Sequence, residues 1–134
     1  MRRFSFPKTR RLVGNRQFRA VLARNIRVSN GLLTLFVAEN NCGYPRLGLS
    51  VGKACGKAAV RNRLKRLARE AFRQSQNRIP SEFDYLLKIA PQSSKNSQVS
   101  MVDYKSVKAS FLALVSDAVK KIEREQKNNK RKNQ

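Results

Sequence analysis

Residues 57–73 read KAAVRNRLKRLAREAFR, and this stretch carries the strongest structural pattern in the chain. When it is placed on a helix of about 3.6 residues per turn, its apolar side chains fall on one face. That spacing predicts an amphipathic helix over residues 58–76. The apolar face consists of Val60, Leu64, Leu67, Ala68, Ala71 and Phe72.

The opposite face of the same helix is strongly basic. Its members are Arg61, Asn62, Lys65, Arg66, Arg69 and Arg73, and Glu70 is the one acid in the stretch. Like charges four residues apart destabilise a helix by roughly a few tenths of a kcal/mol per pair. An ordinary solvated face is the alternative, but it would usually relieve this repulsion with interspersed acids. The pattern therefore favours contact with the phosphates of RNA or DNA. Asn62 adds a donor and an acceptor that suit a base edge or a 2′-hydroxyl.

Composition also points to a polyanionic partner. The 134-residue chain has 30 Lys and Arg against 8 Asp and Glu, which gives a formal net charge of +22. Such a chain attracts nucleic acid or an anionic membrane surface. No apolar run approaches the roughly 20 residues that span a bilayer, and the basic N-terminus lacks the apolar segment of a signal peptide. We expect nucleic acid as the partner, no membrane, and a cytoplasmic location.

The reactive side chains argue against a nuclease that works without RNA. The chain has no histidine, and its acids form no D-x-D or D-x-x-E cluster of the kind that holds catalytic metal ions. Cys42 and Cys55 are too far apart for a C-x-x-C motif, so we expect two reduced thiols. We expect no metal held by the protein and no catalytic side chain.

The remaining patterns predict one α+β domain over residues 1–126. Helical spacing indicates helices over 15–23 and 103–125. Alternating apolar residues predict strands over 32–39, 46–52 and 84–90, with a further short strand near Val28. The strands over 32–39 and 46–52 are expected to form a hairpin with one core face and one open face. We also expect a basic arm over 1–12, a flexible polar loop over 91–100 and a disordered basic tail over 127–134.

Two neighbouring segments resemble the bacterial ribonuclease P protein family. Residues 46–53 read RLGLSVGK and match a strand that ends in G-x-S-V with basic residues. Residues 56–70 read GKAAVRNRLKRLARE and match a helix that opens R-N-R-x-K-R-x-x-R-E. Arg11-Leu12, the stretch QFRAVL over 17–22 and Phe36 extend the resemblance over about residues 6–120.

This resemblance implies an α/β sandwich of the ribosomal protein S5 domain 2-like kind, with about four strands and three helices. It also implies a left-handed βαβ crossover. General packing rules favour the right hand, so the left hand comes from the resemblance alone.

The resemblance further divides the surface between two RNA partners. The surface for the catalytic RNA subunit is implied to comprise Lys53, Lys57, Arg61, Asn62, Arg63, Lys65, Arg66, Arg69 and Arg73. The cleft for the single-stranded 5′ leader of precursor tRNA is implied to comprise Phe18, Leu22, Phe36, Arg46 and Ser50. Aromatic rings beneath a basic groove suit single-stranded RNA of any sequence. Ordinary core packing is the alternative for Phe18 and Phe36.

The chemistry implied by the resemblance belongs to RNA. Mg²⁺ held mainly by the RNA subunit would activate the attacking water, and the protein would bind the leader and neutralise phosphates. No obligate protein partner is expected. Two departures concern the leader contacts: Leu22 stands where the family usually has Phe, and Ala54 follows Lys53 where the family often has a second lysine.

Three other functions remain open from the residues alone. A ribosomal protein that binds rRNA structurally fits the size and charge equally well. A protein-only nuclease would cleave without an RNA cofactor. An architectural DNA-binding protein would bind duplex DNA and structured RNA with equal affinity.

Overall fold

The computed structural model describes residues 11–12, 14–30, 33–40, 42–89 and 103–132. Its helices are α1 (Gly14–Arg24), α2 (Ala58–Ser75) and α3 (Tyr104–Lys132). Its strands are β1 (Ile26–Ser29), β2 (Leu33–Glu39), β3 (Arg46–Val51) and β4 (Phe83–Ile89), and a short 3-10 turn at Lys53–Cys55 connects β3 to α2. The predicted α+β class and the additional strand around Val28 are confirmed.

The four strands form one mixed sheet in the order β1-β2-β4-β3. Strand β2 pairs antiparallel with β1 and β4, while β3 pairs parallel with β4. The predicted hairpin of β2 and β3 is therefore wrong, because β4 lies between them. Six of the seven residues of β4 are buried, which suits a central strand. The β3-α2-β4 connection is a crossover between parallel neighbours, and its left hand stays a prediction.

One face of the sheet carries the main core. Helices α2 and α3 pack on this face, and inward side chains from β2 and β4 meet them. Phe72, Tyr85 and Phe111 form edge-to-face ring pairs with centroids 6.2–6.3 Å apart. Such pairs add stability beyond the area they bury. The packing holds α2 against the sheet, so its opposite face points outward.

The other face of the sheet is only partly covered, by α1 and the chain before it. A smaller cluster of Leu12, Val21, Ala38 and Leu86 lies there. The Leu12 amide donates to the Leu47 carbonyl at 2.9 Å, which docks the chain along β3. Residues 1–10 of the predicted arm lie outside the described residues.

Local sequence explains where α1 and α3 end. Asn25 has a φ of +59° and closes α1 by donating from its amide to the Leu22 carbonyl at 3.1 Å. Helix α3 runs to Lys132. The prediction that it ends near residue 125 is therefore wrong, and the segment from residue 127 to Lys132, which was predicted to be a disordered tail, is helical. Lys, Arg, Glu and Gln are good helix formers, and no Gly or Pro interrupts this segment.

Two findings bear on the other predicted segments. The polar loop predicted over 91–100 lies outside the described residues. Among the helices that the structure describes, none combines the length and the apolar character needed to cross a bilayer.

Candidate nucleic-acid interface

Helix α2 presents the predicted basic surface to solvent. Leu64, Ala68, Ala71 and Phe72 are buried, which confirms most of the predicted apolar stripe, whereas Val60 and Leu67 are only partly buried. On the outer side, Asn62, Arg66 and Arg69 are exposed, together with Lys53 and Lys57 just before the helix. Arg61, Arg63, Lys65 and Arg73 are partly buried. We call this set of nine residues the α2 surface.

Two arginines of the α2 surface have distinctive surroundings. Arg73 donates to the Glu70 carboxylate, which also accepts from Gln74 at 3.0 Å. These bonds lower the pKa of Glu70, so the acid stays ionised and engaged at neutral pH. Arg61 lies beside Cys55, and its Nε is buried without a hydrogen-bond partner among the described residues. Burial nevertheless raises the pKa of the Cys55 thiol.

The predicted leader residues lie on the α1 side of the sheet, but they differ in surroundings. Phe18 of α1 and Phe36 of β2 are partly buried, and both pack against the smaller cluster. Leu22, one turn after Phe18, is 44% exposed. Ser50 is exposed on β3. These positions and Arg46 lie on the same side of the sheet, and we call this set of five residues the α1 cleft.

Arg46 forms an ion pair with Asp84, a buried acid to which the sequence patterns gave no role. Its guanidinium donates to both oxygens of Asp84, from Nε at 2.7 Å and from Nη2 at 2.6 Å. Asn40 Nδ2 donates to the same carboxylate at 2.7 Å. The carboxylate raises the pKa of Arg46. Arg46 therefore ties β3 to β4 at the edge of the α1 cleft.

Gly48 explains how α1 approaches the sheet so closely. A Cβ built at this position would lie 2.9 Å from Phe18 Cε1 and 3.0 Å from Leu12 Cβ. Ordinary van der Waals contact needs more room than this. Phe18 and Leu12 therefore occupy the space beside Gly48, and the exposed part of this face of β3 lies around Ser50.

A cavity connects the two surfaces. It has a volume of about 300 Å³ and lies between α1, β3 and α2, where Phe18 and Leu49 face Lys65, Arg69 and Arg11. The structure thereby brings Phe18 of the α1 cleft together with two cations of the α2 surface. Neither pattern in the sequence predicted this junction, because its members are far apart along the chain.

A second groove lies between α2 and the start of α3. It has a volume of about 620 Å³, and its lining includes Arg63, Arg66, Arg69, Arg73 and Tyr104. The sequence patterns predicted a helix over 103–125 but assigned no RNA-binding role to its first turn, which contains Tyr104. Its one sequence signal is an aromatic residue beside Lys105 and Lys108.

Within the described residues, no group of three His, Cys, Asp or Glu side chains is close enough to hold a metal ion. The buried acid Asp84 is engaged with Arg46 and Asn40.

Comparison with known proteins agrees with the geometry. The family model described as Ribonuclease P matches residues 6–119. The chain belongs to the ribonuclease P protein family. A ribonuclease P protein component from Clostridium botulinum is 35% identical over 111 residues, which cover 83% of this chain and 96% of the relative. Another from Clostridium kluyveri is 40% identical over 98 residues, covering 73% and 88%.

Solved structures of the ribonuclease P family share the fold. The protein from Thermotoga maritima is 31% identical with a TM-score of 0.69, covering 78% of this chain and 94% of the other. The Staphylococcus aureus protein has the same TM-score at 24% identity, covering 83% and 96%, and it supports the fold alone. Family membership assigns this chain to a protein subunit that serves tRNA 5′-end processing. Family membership therefore favours this role over that of a ribosomal protein or an architectural DNA-binding protein.

Proposed function

We propose that the chain binds the catalytic RNA subunit of ribonuclease P through the α2 surface. The observation that carries this proposal is the outward, nearly acid-free face of α2, which lies on the motif shared with the family. Asn62, Arg66 and Arg69 are exposed there, while Glu70 is already engaged by Arg73 and Gln74. Cations placed this way release counterions from RNA when they meet phosphates, which drives binding.

The α1 cleft is proposed to hold the 5′ leader of precursor tRNA. Phe18 and Phe36 are partly buried, so one part of each ring packs in the cluster and the rest faces the cleft. Partial exposure suits base stacking on a ring that the core holds in place. The cavity between Phe18 and the pair Lys65 and Arg69 gives the leader a path toward the RNA subunit.

The chemistry is proposed to reside in the RNA subunit. The RNA subunit would hold Mg²⁺, which would supply an activated water, and hydrolysis of the phosphodiester would leave a 5′-phosphate on the tRNA and a 3′-hydroxyl on the leader. This chain contributes affinity for the leader and positive charge, which lowers the Mg²⁺ needed to fold and bind RNA. We propose a cytoplasmic location, which suits the free thiols of Cys42 and Cys55, and a holoenzyme without a further obligate protein.

Reconstitution tests this proposal directly. The purified protein is mixed with a bacterial ribonuclease P RNA and a precursor tRNA at low Mg²⁺, and leader release is followed. We expect cleavage only when protein and RNA are both present. Cleavage by the protein alone would show a protein-only nuclease, and no stimulation at any salt concentration would contradict the proposal.

The salt dependence of binding tests the α2 surface itself. Arg69→Ala and Lys65→Ala should each weaken binding to the RNA subunit and reduce the slope of log K against log salt by about one unit. Arg124→Ala is the matched control, because Arg124 is an exposed arginine on α3, away from α2. Equal slopes for wild type, Arg69→Ala and Lys65→Ala would remove the α2 surface from the interface.

A further inference from the structure

The groove between α2 and α3 has the composition of a nucleotide site. Tyr104 of α3 lines it, and Arg11, before α1, adds a further cation to the lining. The cations from α2 are Arg63, Arg66, Arg69 and Arg73. Leu67, which is only partly buried, provides an apolar floor. A volume of about 620 Å³ lies inside the range of roughly 300–1,000 Å³ that is usual for small-ligand sites.

The charge in this groove is unbalanced. Glu70 is the acid in its lining, and its carboxylate already accepts from Arg73 and Gln74. Arg66 and Arg69 are exposed on the same side of α2, three residues apart, so their guanidinium groups can reach one phosphate together. An anion in this groove would therefore meet cations without displacing Glu70 from its partners.

Tyr104 lies in the capped first turn of α3. It is the first residue of α3, and Asp103 caps that helix by accepting from the Ser106 amide at 2.8 Å. The Lys108 ammonium lies 5.9 Å from the centre of the Tyr104 ring. The ring is partly buried, so it keeps an accessible edge or face at the groove. A rigid aromatic ring beside arginines is the combination that binds an unpaired nucleotide.

We infer that the groove between α2 and α3 binds an unpaired nucleotide of the RNA subunit, with its base stacked on Tyr104 and its phosphate on Arg66 and Arg69. This inference rests on the proposed function, since it extends the α2 surface onto α3. It adds a stacking contact to a surface that would otherwise bind RNA by charge alone.

Affinity for the RNA subunit tests the stacking contact. Tyr104→Leu should weaken binding about tenfold, while the salt slope stays at the wild-type value because no charge is removed. Tyr104→Phe should bind like wild type. Tyr44→Leu is the matched control, because Tyr44 is a partly buried tyrosine in the loop before β3. Wild-type affinity for Tyr104→Leu, or equal loss for the Leu and Phe variants, would overturn the inference.

Fluorescence gives a second readout that does not depend on the stability of the leucine variant. The chain has no tryptophan, so Tyr104→Trp places the one tryptophan of the variant in the groove, where its emission can be followed separately from that of the tyrosines. Its emission should be quenched when the RNA subunit is added without precursor tRNA. Unchanged emission in the complex would overturn the inference, and quenching only after precursor tRNA is added would overturn the choice of the RNA subunit as the source.

The two proposals fail in different ways. If Arg69→Ala lowers the salt slope but Tyr104→Leu changes nothing, the α2 surface stands and the stacking site falls. If none of these variants alters binding to the RNA subunit, both the stacking site and the proposed function are contradicted.

Discussion

The α2 surface and the α1 cleft are built in opposite ways. The α2 surface lies almost entirely on one helix, whose buried stripe packs against α3 and the sheet while its cations face outward. The α1 cleft combines residues from α1, β2 and β3, and Leu12 and Phe18 pack closely beside Gly48 of β3. A surface on one helix depends on local spacing, whereas a cleft depends on how separate elements approach each other.

This difference predicts different sensitivities to mutation. Substitutions at the exposed positions of the α2 surface, such as Arg66 and Arg69, should change RNA binding without changing stability, because these side chains lie outside the core. Substitutions at the packed positions of the α1 cleft, Phe18 and Phe36, should change both RNA binding and stability, because these rings are also packing contacts. The predictions below test this contrast, beginning with the largest expected effect.

Asp84→Ala should be the most damaging of these changes. The Asp84 side chain is 9% exposed and the Arg46 side chain is 19% exposed. Removal of the Asp84 carboxylate therefore leaves the largely buried guanidinium of Arg46 without its partner. We expect a loss of about 3 kcal/mol in the free energy of unfolding, measured by urea denaturation. Glu39→Ala is the control, because that acid is 46% exposed in its ion pair with Arg24 and should cost less than about 1 kcal/mol. Equal losses would contradict the buried role of Asp84.

Gly48→Ala should destabilise the protein and impair the leader site together. The added Cβ would lie 2.9 Å from the Phe18 ring and 3.0 Å from Leu12, so α1 must shift or the side chains must repack. We expect a cost of about 1–3 kcal/mol, with wild-type affinity for the RNA subunit and weaker binding of precursor tRNA by the holoenzyme. Ser50→Ala, on the same face of the strand but exposed, should leave stability unchanged. Unaltered stability of Gly48→Ala would disprove the close packing of α1.

Leu22→Phe should sharpen the contrast in the favourable direction. Leu22 is 44% exposed beside Phe18, so a ring there gains a stacking surface without disturbing the core. We expect tighter binding of precursor tRNA by about 1 kcal/mol and no change for mature tRNA. Ala23→Phe, on an exposed neighbouring position of α1, is the matched control. Equal gains for the two variants would indicate non-specific stacking away from the cleft.

Truncation after Gln126 should have the smallest effect on the fold. Lys127 and Asn128 are exposed, so stability should change by less than about 0.5 kcal/mol in thermal unfolding. The lost segment contains Lys127, Lys130, Arg131 and Lys132, so affinity for RNA should fall and its salt slope should decrease. A large loss of stability would mean that the end of α3 packs on the rest of the protein.

The sequence predicted local features more accurately than contacts between distant residues. The four-residue spacing of Leu64, Ala68 and Phe72 correctly placed α2, because a helix is determined by neighbours in the chain. The pairing of β3 was mispredicted, because adjacency in the chain favoured a hairpin and gave no sign that β4 would insert. The end of α3 was placed too early because its polar residues have no core stripe, although their helix propensity is high.

The site shows the same division. Helical spacing identified the cations Arg61, Lys65, Arg66, Arg69 and Arg73, and the family resemblance added Arg63. The ion pair of Arg46 with Asp84 joins residues on different strands and left no local pattern. The close approach of Phe18 and Leu12 to Gly48 also joins separate elements, and only the structure shows it. Tyr104 faces α2 only because α3 packs beside it.

The central claim is that the two surfaces bind different RNAs, and one paired measurement tests it most directly. For wild type, Arg66→Ala and Phe18→Ala, affinity for the RNA subunit is measured first, and the ratio of precursor to mature tRNA affinity is then measured in the assembled holoenzyme. We predict that Arg66→Ala, whose position lies on the α2 surface but not in the cavity beside Phe18, lowers only the first quantity and that Phe18→Ala lowers only the second. If Phe18→Ala weakens precursor and mature tRNA equally, or if either variant lowers both quantities, the division between the two surfaces is contradicted.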